Sequence, residues 1–116
     1  MSLHYMEFVS HDPASNIALI ERTQGLTFGG PDTDLGQARV AQTSDGGLIG
    51  VRAPLADHEQ PVVRSYLAVR DIAAAVSEAV SLGAQVAYPP TRQGNSGVWA
   101  SVMQGELQLG FWQRAD

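Results

Sequence analysis

Cysteine and lysine are both absent from this sequence of 116 residues. Without cysteine, the chain has no disulfide, no thiolate metal ligand and no cysteine nucleophile. Without lysine, the lysine type of phosphate-binding loop and Schiff-base chemistry are excluded. The sequence also has no apolar run near the roughly 20 residues that span a bilayer, and no signal peptide opens it. We therefore expect a soluble cytoplasmic protein that has no membrane partner.

Positive charge is scarce as well. Seven basic residues, all of them arginine, stand against twelve acidic residues, and the net charge is -5. Because non-specific nucleic-acid binding depends on neutralising phosphates, this balance argues against a nucleic-acid partner. Hydrophobic residues make up 44% of the chain, which is enough for a folded core in a single domain of residues 1–116.

A weak internal repeat divides the chain into two halves. Residues 5–13 alternate like a strand and stop at Asp-Pro, and residues 64–72 alternate similarly and stop at Arg-Asp. The pattern predicts two helices with Asp12 and Asp71 as N-caps, which end near Gly25 and Gly83. The two aspartates and the two glycines are separated by nearly the same number of residues. Duplication explains this spacing, and a chance likeness of two αβ halves is the alternative.

Strand-like segments and turn residues follow each predicted helix. The predicted strands after the helices cover residues 26–28, 37–43 and 48–53 in the first half and 85–88, 98–103 and 107–113 in the second. Both halves therefore have the order β-α-β-β-β, over residues 4–54 and 64–114, with a linker between them. The predicted fold is α+β, with two paired βαβββ modules that form a curved mixed sheet around a cavity.

Alternation along the strands predicts which side chains face this cavity. Met6 and Phe8 are expected to face the first helix. The odd-numbered apolar residues of the last strand, from Leu107 to Phe111, are expected to face the second helix. The opposite faces supply the candidate ligand-binding residues, which are Tyr5, Glu7, Gly50, Arg52, Arg64, Tyr66, Gln108, Gly110 and Trp112. A lining of aromatic rings with a few polar groups is typical of small-molecule pockets.

Several of these features have two interpretations. Gly50 and Gly110 leave room either for a ligand or for bulky neighbours such as Trp112 or Tyr66. Glu7 and Arg64 are expected in one cavity, either as a mutual ion pair or as groups that orient a polar ligand. The loop of residues 89–97 is either a lid over the cavity or an ordinary surface loop.

Three segments carry a resemblance to a known family. They are YLAVRDIAAAVSEAVSLGAQVAYPPT (residues 66–91), GELQLGFWQ (105–113) and YMEFVSHDPAS (5–15). These segments resemble parts of the vicinal oxygen chelate superfamily, which includes glyoxalase I, bleomycin-resistance proteins and extradiol dioxygenases. Residues 26–53 match it only loosely. The resemblance implies the same paired βαβββ modules, and it implies a homodimer.

Metal-dependent members of this family hold a divalent ion with His, Glu or Gln from the first, fourth, fifth and eighth strands. Carried over, these positions fall on Tyr5, Gly50, Arg64 and Gly110, or on Leu109 if the last hairpin is one residue longer. Arginine is a cation without an acceptor and glycine has no side chain, so we expect no metal and no cofactor. His4 would serve only if the first strand slipped by one residue, and His11 and His58 are expected in solvent.

The predicted function is metal-free binding of a small, partly apolar or aromatic molecule in the cavity between the modules, as the likeness to bleomycin-resistance proteins implies. The alternative is a metal-dependent lyase, isomerase or dioxygenase of the same superfamily. A third possibility is a structural or regulatory module with a vestigial cavity that acts through its dimer surface. The sequence identifies no catalytic residue.

Overall fold

The computed structural model describes residues 1–115, and they form two compact units. The first unit is Tyr5–Val63, and the second joins Met1–His4 to the chain from Arg64 onward. Residue 4, which the sequence assigned to the first module, thus lies with the second unit.

The first unit has the element order β-α-β-β-β. Strand β1 (Leu3–Val9) leads to helix α1 (Pro13–Gln24), followed by β2 (Pro31–Asp32), a short 3-10 helix (Thr33–Leu35), β3 (Ala38–Gln42) and β4 (Leu48–Arg52). The strand order is β2-β3-β4-β1. Strand β1 runs parallel to β4, and the other neighbours are antiparallel.

The second unit repeats this order. It contains β5 (Val62–Ala68), helix α2 (Ile72–Ser81), β6 (Gln85–Arg92), β7 (Gly97–Gln104) and β8 (Leu107–Arg114). The strand order is β5-β8-β7-β6, with β5 parallel to β8 and the remaining pairs antiparallel. The predicted α+β fold with two βαβββ modules is therefore confirmed. No helix in residues 1–115 has the length and apolar character needed to span a membrane.

Helix α1 begins and ends where the sequence predicted. The Asp12 carboxylate accepts a hydrogen bond from the Ser15 amide at 3.3 Å, and Pro13 occupies the first turn, where its missing N–H costs nothing. Gly25 ends the helix in the left-handed conformation, with φ 67°. Its amide donates to the Glu21 carbonyl at 2.9 Å, which satisfies one of the free carbonyls of the last turn.

Helix α2 is capped in the same way. Asp71 accepts from the Ala74 amide at 3.1 Å, and Gly83 follows the helix with φ 98°. The free Ile72 amide of the first turn donates to the Gln113 side chain at 2.9 Å. Because Gln113 belongs to β8, this bond fixes the start of the helix to the last strand.

The core of the first unit lies between α1 and its sheet. Ile17 of the helix is buried with Phe28, Ala41 and Val51, and Phe8 packs against this cluster together with other partly buried residues. Phe8 therefore faces the helix, as the alternation of β1 predicted. In the second unit Leu107, Leu109 and Phe111 likewise face α2, beside Ala75 and Ala79.

The loop predictions need three corrections. Residues 26–28 form no strand, because Phe28 is drawn into the core as a single buried side chain of a connecting segment. Residues 29–36, which no predicted strand covers, contain β2 and the short 3-10 helix. Strand β6 continues through Pro89 and Pro90 to Arg92, because an edge strand can include residues that have no amide to donate. The predicted lid is thus reduced to a short turn.

Candidate functional site

In the first unit the predicted site residues Tyr5 and Gly50 are in contact. Tyr5 is 2% exposed, and a Cβ atom added to Gly50 would stand 2.7 Å from its Cζ and 2.8 Å from its Cε1. Both distances are well below an ordinary carbon–carbon contact of about 3.5–4.0 Å. The missing side chain at position 50 therefore makes room for the tyrosine ring.

Glu7 and Arg52 lie next to this pair and form an ion pair. Glu7 is the partner of Gly50 in the register of β1 and β4, and Arg52 Nε stands 3.1 Å from Glu7 Oε2. Arg52 also donates from Nη1 and Nη2 to the two oxygens of Glu59, each at 2.8 Å. The Arg52 side chain is only 7% exposed, so one buried cation is shared by two carboxylates. The predicted pair of Glu7 with Arg64 would join the two units and stays a prediction.

This cluster ties the linker between the modules to β4. Glu59 belongs to the linker, and its Oε1 also accepts from the Leu55 amide at 2.7 Å. The bond to Glu59 raises the pKa of Arg52 further above its ordinary value, against the opposing effect of burial and with support from Glu7. Arg52 thus remains a cation at every relevant pH. Two carboxylates on one guanidinium leave this cluster with a net negative charge.

The second unit contains a continuous row of aromatic rings. Tyr66 packs edge-to-face on Trp112 at 5.6 Å between ring centroids, and on Trp99 at 6.0 Å. Trp99 extends the row to Tyr88 at 5.5 Å, and Trp112 extends it to His4 at 5.0 Å. Edge-to-face pairs at such distances add roughly 0.5–1.5 kcal/mol beyond the area that they bury. The row therefore holds its members in defined positions.

Gly110 plays the same part in this unit as Gly50 in the first. It is the partner of Tyr66 in the register of β5 and β8. A Cβ atom on Gly110 would lie 2.9 Å from Tyr66 Cε2 and 2.7 Å from the Ser65 carbonyl oxygen. Both glycines therefore accommodate a tyrosine of the neighbouring strand, and the interpretation that they give room to bulky neighbours describes this geometry.

The two indoles bind the turn between β6 and β7. Trp99 Nε1 donates to Gln93 Oε1 at 2.7 Å, and Trp112 Nε1 donates to the Ser96 carbonyl at 2.8 Å. The Ser96 amide closes the turn by donating to the Gln93 carbonyl at 2.9 Å. The part of the predicted lid that is not strand is thus held at two points by the aromatic row.

The remaining predicted residues of the second unit lie on strands beside the row. Gln108 Nε2 donates to the hydroxyl of Ser101 at 2.9 Å, and Ser101 is buried. Because β7 and β8 pair in register, this bond crosses the hairpin. Arg64 lies on β5 and is partly buried.

His4, the alternative metal ligand, is held by Arg114 and Trp112. Its Nδ1 accepts from Arg114 Nε at 2.9 Å. Burial, and after it the positive charge of Arg114, lower the pKa of His4 below its ordinary value. A neutral imidazole whose Nδ1 accepts a hydrogen bond carries its proton on Nε2. In this arrangement neither ring nitrogen offers a lone pair to a metal ion.

The side chains at the family's ligand positions do not fit a divalent ion. Tyr5 fills the space over Gly50, Gly110 lies against Tyr66, and Arg64 is a cation. His, Glu and Gln, the side chains that hold the ion in metal-dependent members of the superfamily, are absent from these positions. Within residues 1–115, no three His, Cys, Asp or Glu side chains are grouped as metal ligands would be.

Glu59 is the member of the Arg52 cluster that the sequence did not predict. It stands in the linker next to Asp57 and His58, where no periodicity assigns a direction to any side chain. Only the folded linker shows that Glu59 turns inward and the exposed His58 does not. Nothing in a single sequence distinguishes a partly buried acidic residue of a linker from an exposed one.

Comparison with solved structures identifies the architecture. Methylmalonyl-CoA epimerase from Mycobacterium tuberculosis superposes with a TM-score of 0.77 at 16% identity, over 98% of this chain and 88% of that chain. A hypothetical protein from Bacillus halodurans superposes with a TM-score of 0.78 at 12% identity, over 99% of this chain and 95% of that chain. Streptomyces coelicolor methylmalonyl-CoA epimerase, in complex with 2-nitronate-propionyl-CoA, gives 0.67 at 17% identity, over 98% and 97%.

The chain has the glyoxalase/bleomycin-resistance fold. No protein-family model matches the sequence, and no curated protein matches it either. At identities this low the likeness extends to the fold and not to the chemistry. The glyoxalase/bleomycin-resistance fold agrees with the family whose motifs the sequence resembles.

Proposed function

We propose that this protein binds a small, partly apolar or aromatic molecule, and that it does so without a metal ion. The aromatic row of the second unit is the observation that carries the proposal. Its inner members, Tyr66 and Trp112, are buried, whereas Trp99 is partly exposed and Tyr88 is mainly exposed. A fixed base of rings with accessible rings beside it offers stacking surface at a low cost in side-chain entropy.

Four polar side chains on the predicted faces are proposed to orient such a ligand. In the second unit these are Arg64 and Gln108, and in the first they are Glu7 and Arg52. We propose that these groups contact the ligand, together with Tyr5 and the two glycines. The fold neighbours support a small-molecule ligand, because some of them are described in complex with coenzyme A esters.

The test is a binding screen on metal-stripped protein, read by tryptophan fluorescence and calorimetry. The panel contains aromatic acids, planar aromatic antibiotics and short acyl-coenzyme A esters. We expect at least one compound to change the indole emission and Trp99→Ala to weaken its binding tenfold or more. Leu19→Ala, on the exposed side of α1, is the matched control and should leave the affinity unchanged.

A metal-dependent lyase, isomerase or dioxygenase is the second candidate, and the likeness in fold to methylmalonyl-CoA epimerases favours it. It requires ligands that the residues at the expected positions do not offer. Elemental analysis of protein purified without chelator separates the two candidates. Stoichiometric nickel, zinc, manganese or iron, or a ligand affinity that disappears with chelator, would replace the proposal by the enzymatic one.

We further propose that the protein is a cytoplasmic homodimer with no nucleic-acid partner. The resemblance to the vicinal oxygen chelate superfamily supports the dimer, and the net charge of -5 argues against nucleic acid. Light scattering on the purified protein measures the oligomeric state directly. A monomer at the highest soluble concentration would remove the dimer from this proposal and leave ligand binding as a separate question.

A further inference from the structure

A crevice opens between helix α2 and the strands β7 and β8, on the opposite face of the sheet from the aromatic row. Its volume is about 370 Å³, which lies within the roughly 300–1,000 Å³ of small-molecule pockets. It is lined by Ala75, Glu78, Ala79, Leu82, Ala84, Val102, Gln104, Leu107, Leu109 and Phe111. Residues of one unit form the whole crevice.

The crevice exists because the inward face of α2 is built from small residues. Ala75 and Ala79 face the sheet, and Ile72, in the first turn, is the buried residue of the helix. The first unit provides an internal comparison, because Ile17 and Ile20 of α1 pack against the corresponding sheet. Counted from the N-caps Asp12 and Asp71, Ala79 stands where α1 has Ile20, and its small side chain leaves a space between helix and sheet.

The apolar side chains on the sheet side of the crevice are also exposed. Leu109 and Phe111 are only partly buried, and Leu107 is 62% exposed. Leu82, at the end of α2, is 67% exposed. Large apolar side chains in this number around one concavity are unusual on a soluble surface and indicate a surface that something covers.

The charge in the crevice lining indicates which kinds of molecule can bind there. Glu78 is the charged residue in its lining, and no arginine lines it. The Gln104 amide donates to the Leu82 carbonyl at 3.1 Å and so satisfies a free carbonyl of the helix end. A carboxylate beside an apolar space disfavours an anion and is compatible with a neutral or cationic molecule.

We propose that this crevice is a second ligand site, which takes the apolar part of a small neutral or cationic molecule. A two-ring aromatic or a short aliphatic chain has a suitable size. A small molecule fits the observations better than a second copy of the chain, because the feature is a concavity of ligand volume with one carboxylate at its edge.

The experiment uses three probes of matched shape, namely 2-naphthylmethylamine, 2-naphthalenemethanol and 2-naphthoate. Each is titrated into the full chain labelled with nitrogen-15, and amide shifts are followed by NMR. We expect the amine and the alcohol to shift the amides of α2 and of β8 near Leu109. We expect 2-naphthoate to bind at least fivefold more weakly than the alcohol, and Glu78→Gln to remove most of that difference.

Ala79→Leu is the decisive variant, because it fills the crevice from the helix side. It should abolish binding of all three probes and raise the thermal midpoint, since it adds buried apolar atoms without displacing any. Ala73→Leu makes the same change on the exposed face of the same helix and is the matched control. It should leave both the probe shifts and the midpoint close to those of the parent.

Three results would overturn the proposal. Ala79→Leu could lower the midpoint, which would mean that the space is already filled. The probes could shift the same amides in the Ala79→Leu protein as in the parent. Alternatively, no probe binds, and light scattering shows a dimer that Leu107→Glu separates, in which case a second copy covers this face. None of these outcomes depends on the aromatic row, so the proposed function is tested independently.

Discussion

Replacing Gly50 by alanine distinguishes a glycine that makes room for Tyr5 from one that makes room for a ligand. The new Cβ would stand 2.7 Å and 2.8 Å from two ring atoms of Tyr5. Because Tyr5 is among the largest fully buried side chains, its ring has little space into which to retreat. The clash must therefore be relieved by displacing the ring or the strand.

The two interpretations differ in the sign of the effect on stability. Overpacking of a core costs typically about 1–3 kcal/mol. Without a clash, alanine in place of a strand glycine with ordinary backbone angles should instead stabilise by roughly 0.5–1 kcal/mol. The backbone of Gly50 lies outside the left-handed region, so backbone strain does not confuse the comparison. We expect a net loss of about 2 kcal/mol in the free energy of unfolding.

The assay is urea unfolding of the parent, Gly50→Ala, Tyr5→Leu and the double variant. In the Tyr5→Leu background the cost of Gly50→Ala should fall by at least about 1 kcal/mol, because the two positions are in contact. Gly30→Ala is the control, since no atom lies within 4 Å of its added Cβ. It should stay within about 0.5 kcal/mol of the parent.

Two outcomes would refute the reasoning. One is a Gly50→Ala protein that is as stable as the parent or more stable. The other is an equal loss in both backgrounds, which would show that the tyrosine is not the obstacle. Either result would favour the interpretation that Gly50 makes room for a ligand. In that case Gly50→Ala should lower the ligand affinity without lowering the stability.

Three further predictions concern charges and caps. Arg52→Met should lower the free energy of unfolding by about 3 kcal/mol in urea titrations, because it leaves Glu7 and Glu59 largely buried without their cation. The pKa of His4 is lowered in the folded protein, so around and below the ordinary value of 6.5 the unfolded chain binds more protons than the folded one. The stability that is present above that pH is therefore lost as the pH falls. Unfolding curves from pH 7.5 to pH 5 should show a shallower loss of stability in His4→Gln than in the parent. Asp71→Ala removes the cap of α2 and should cost about 1 kcal/mol, measured against an unchanged Asp57→Ala control.

The elements that sequence predicted well have local physical causes. Asp12 and Asp71 accept hydrogen bonds from amides three residues on, which depends only on the neighbouring chain. The phase of β1 and β8 follows from period-two alternation, and Phe8 and Phe111 face the helices accordingly. Repetition of these signals in both halves was enough to predict the fold class.

The features that sequence did not predict depend on contacts between distant segments. Phe28 is the buried residue of a connecting segment without strand geometry, so the strand predicted over residues 26–28 is wrong. Pro89 and Pro90 suggested a loop, yet they lie in β6, whose position at the edge of the strand order only the fold reveals. Glu59 reaches Arg52 through the folding of the linker.

The tyrosine–glycine pairs show how much of the candidate site could be predicted. Alternation placed Tyr5 and Tyr66 on faces with Gly50 and Gly110, and the geometry puts each ring against its glycine. Sequence could not decide whether the missing side chains served a ring or a ligand, because both need the same empty volume. The distances from the glycine backbones separate the two.

The paired prolines of β6 have a consequence for how molecules of this protein can associate. Two consecutive residues without an N–H group lie within a register shift of β6, so this part of the margin cannot donate to a foreign strand in a regular ladder. The prolines therefore disfavour extension of the sheet at the outer strand of the second unit, although all of its residues are exposed. Packing of side chains is thus the favoured way for two molecules to associate along this margin.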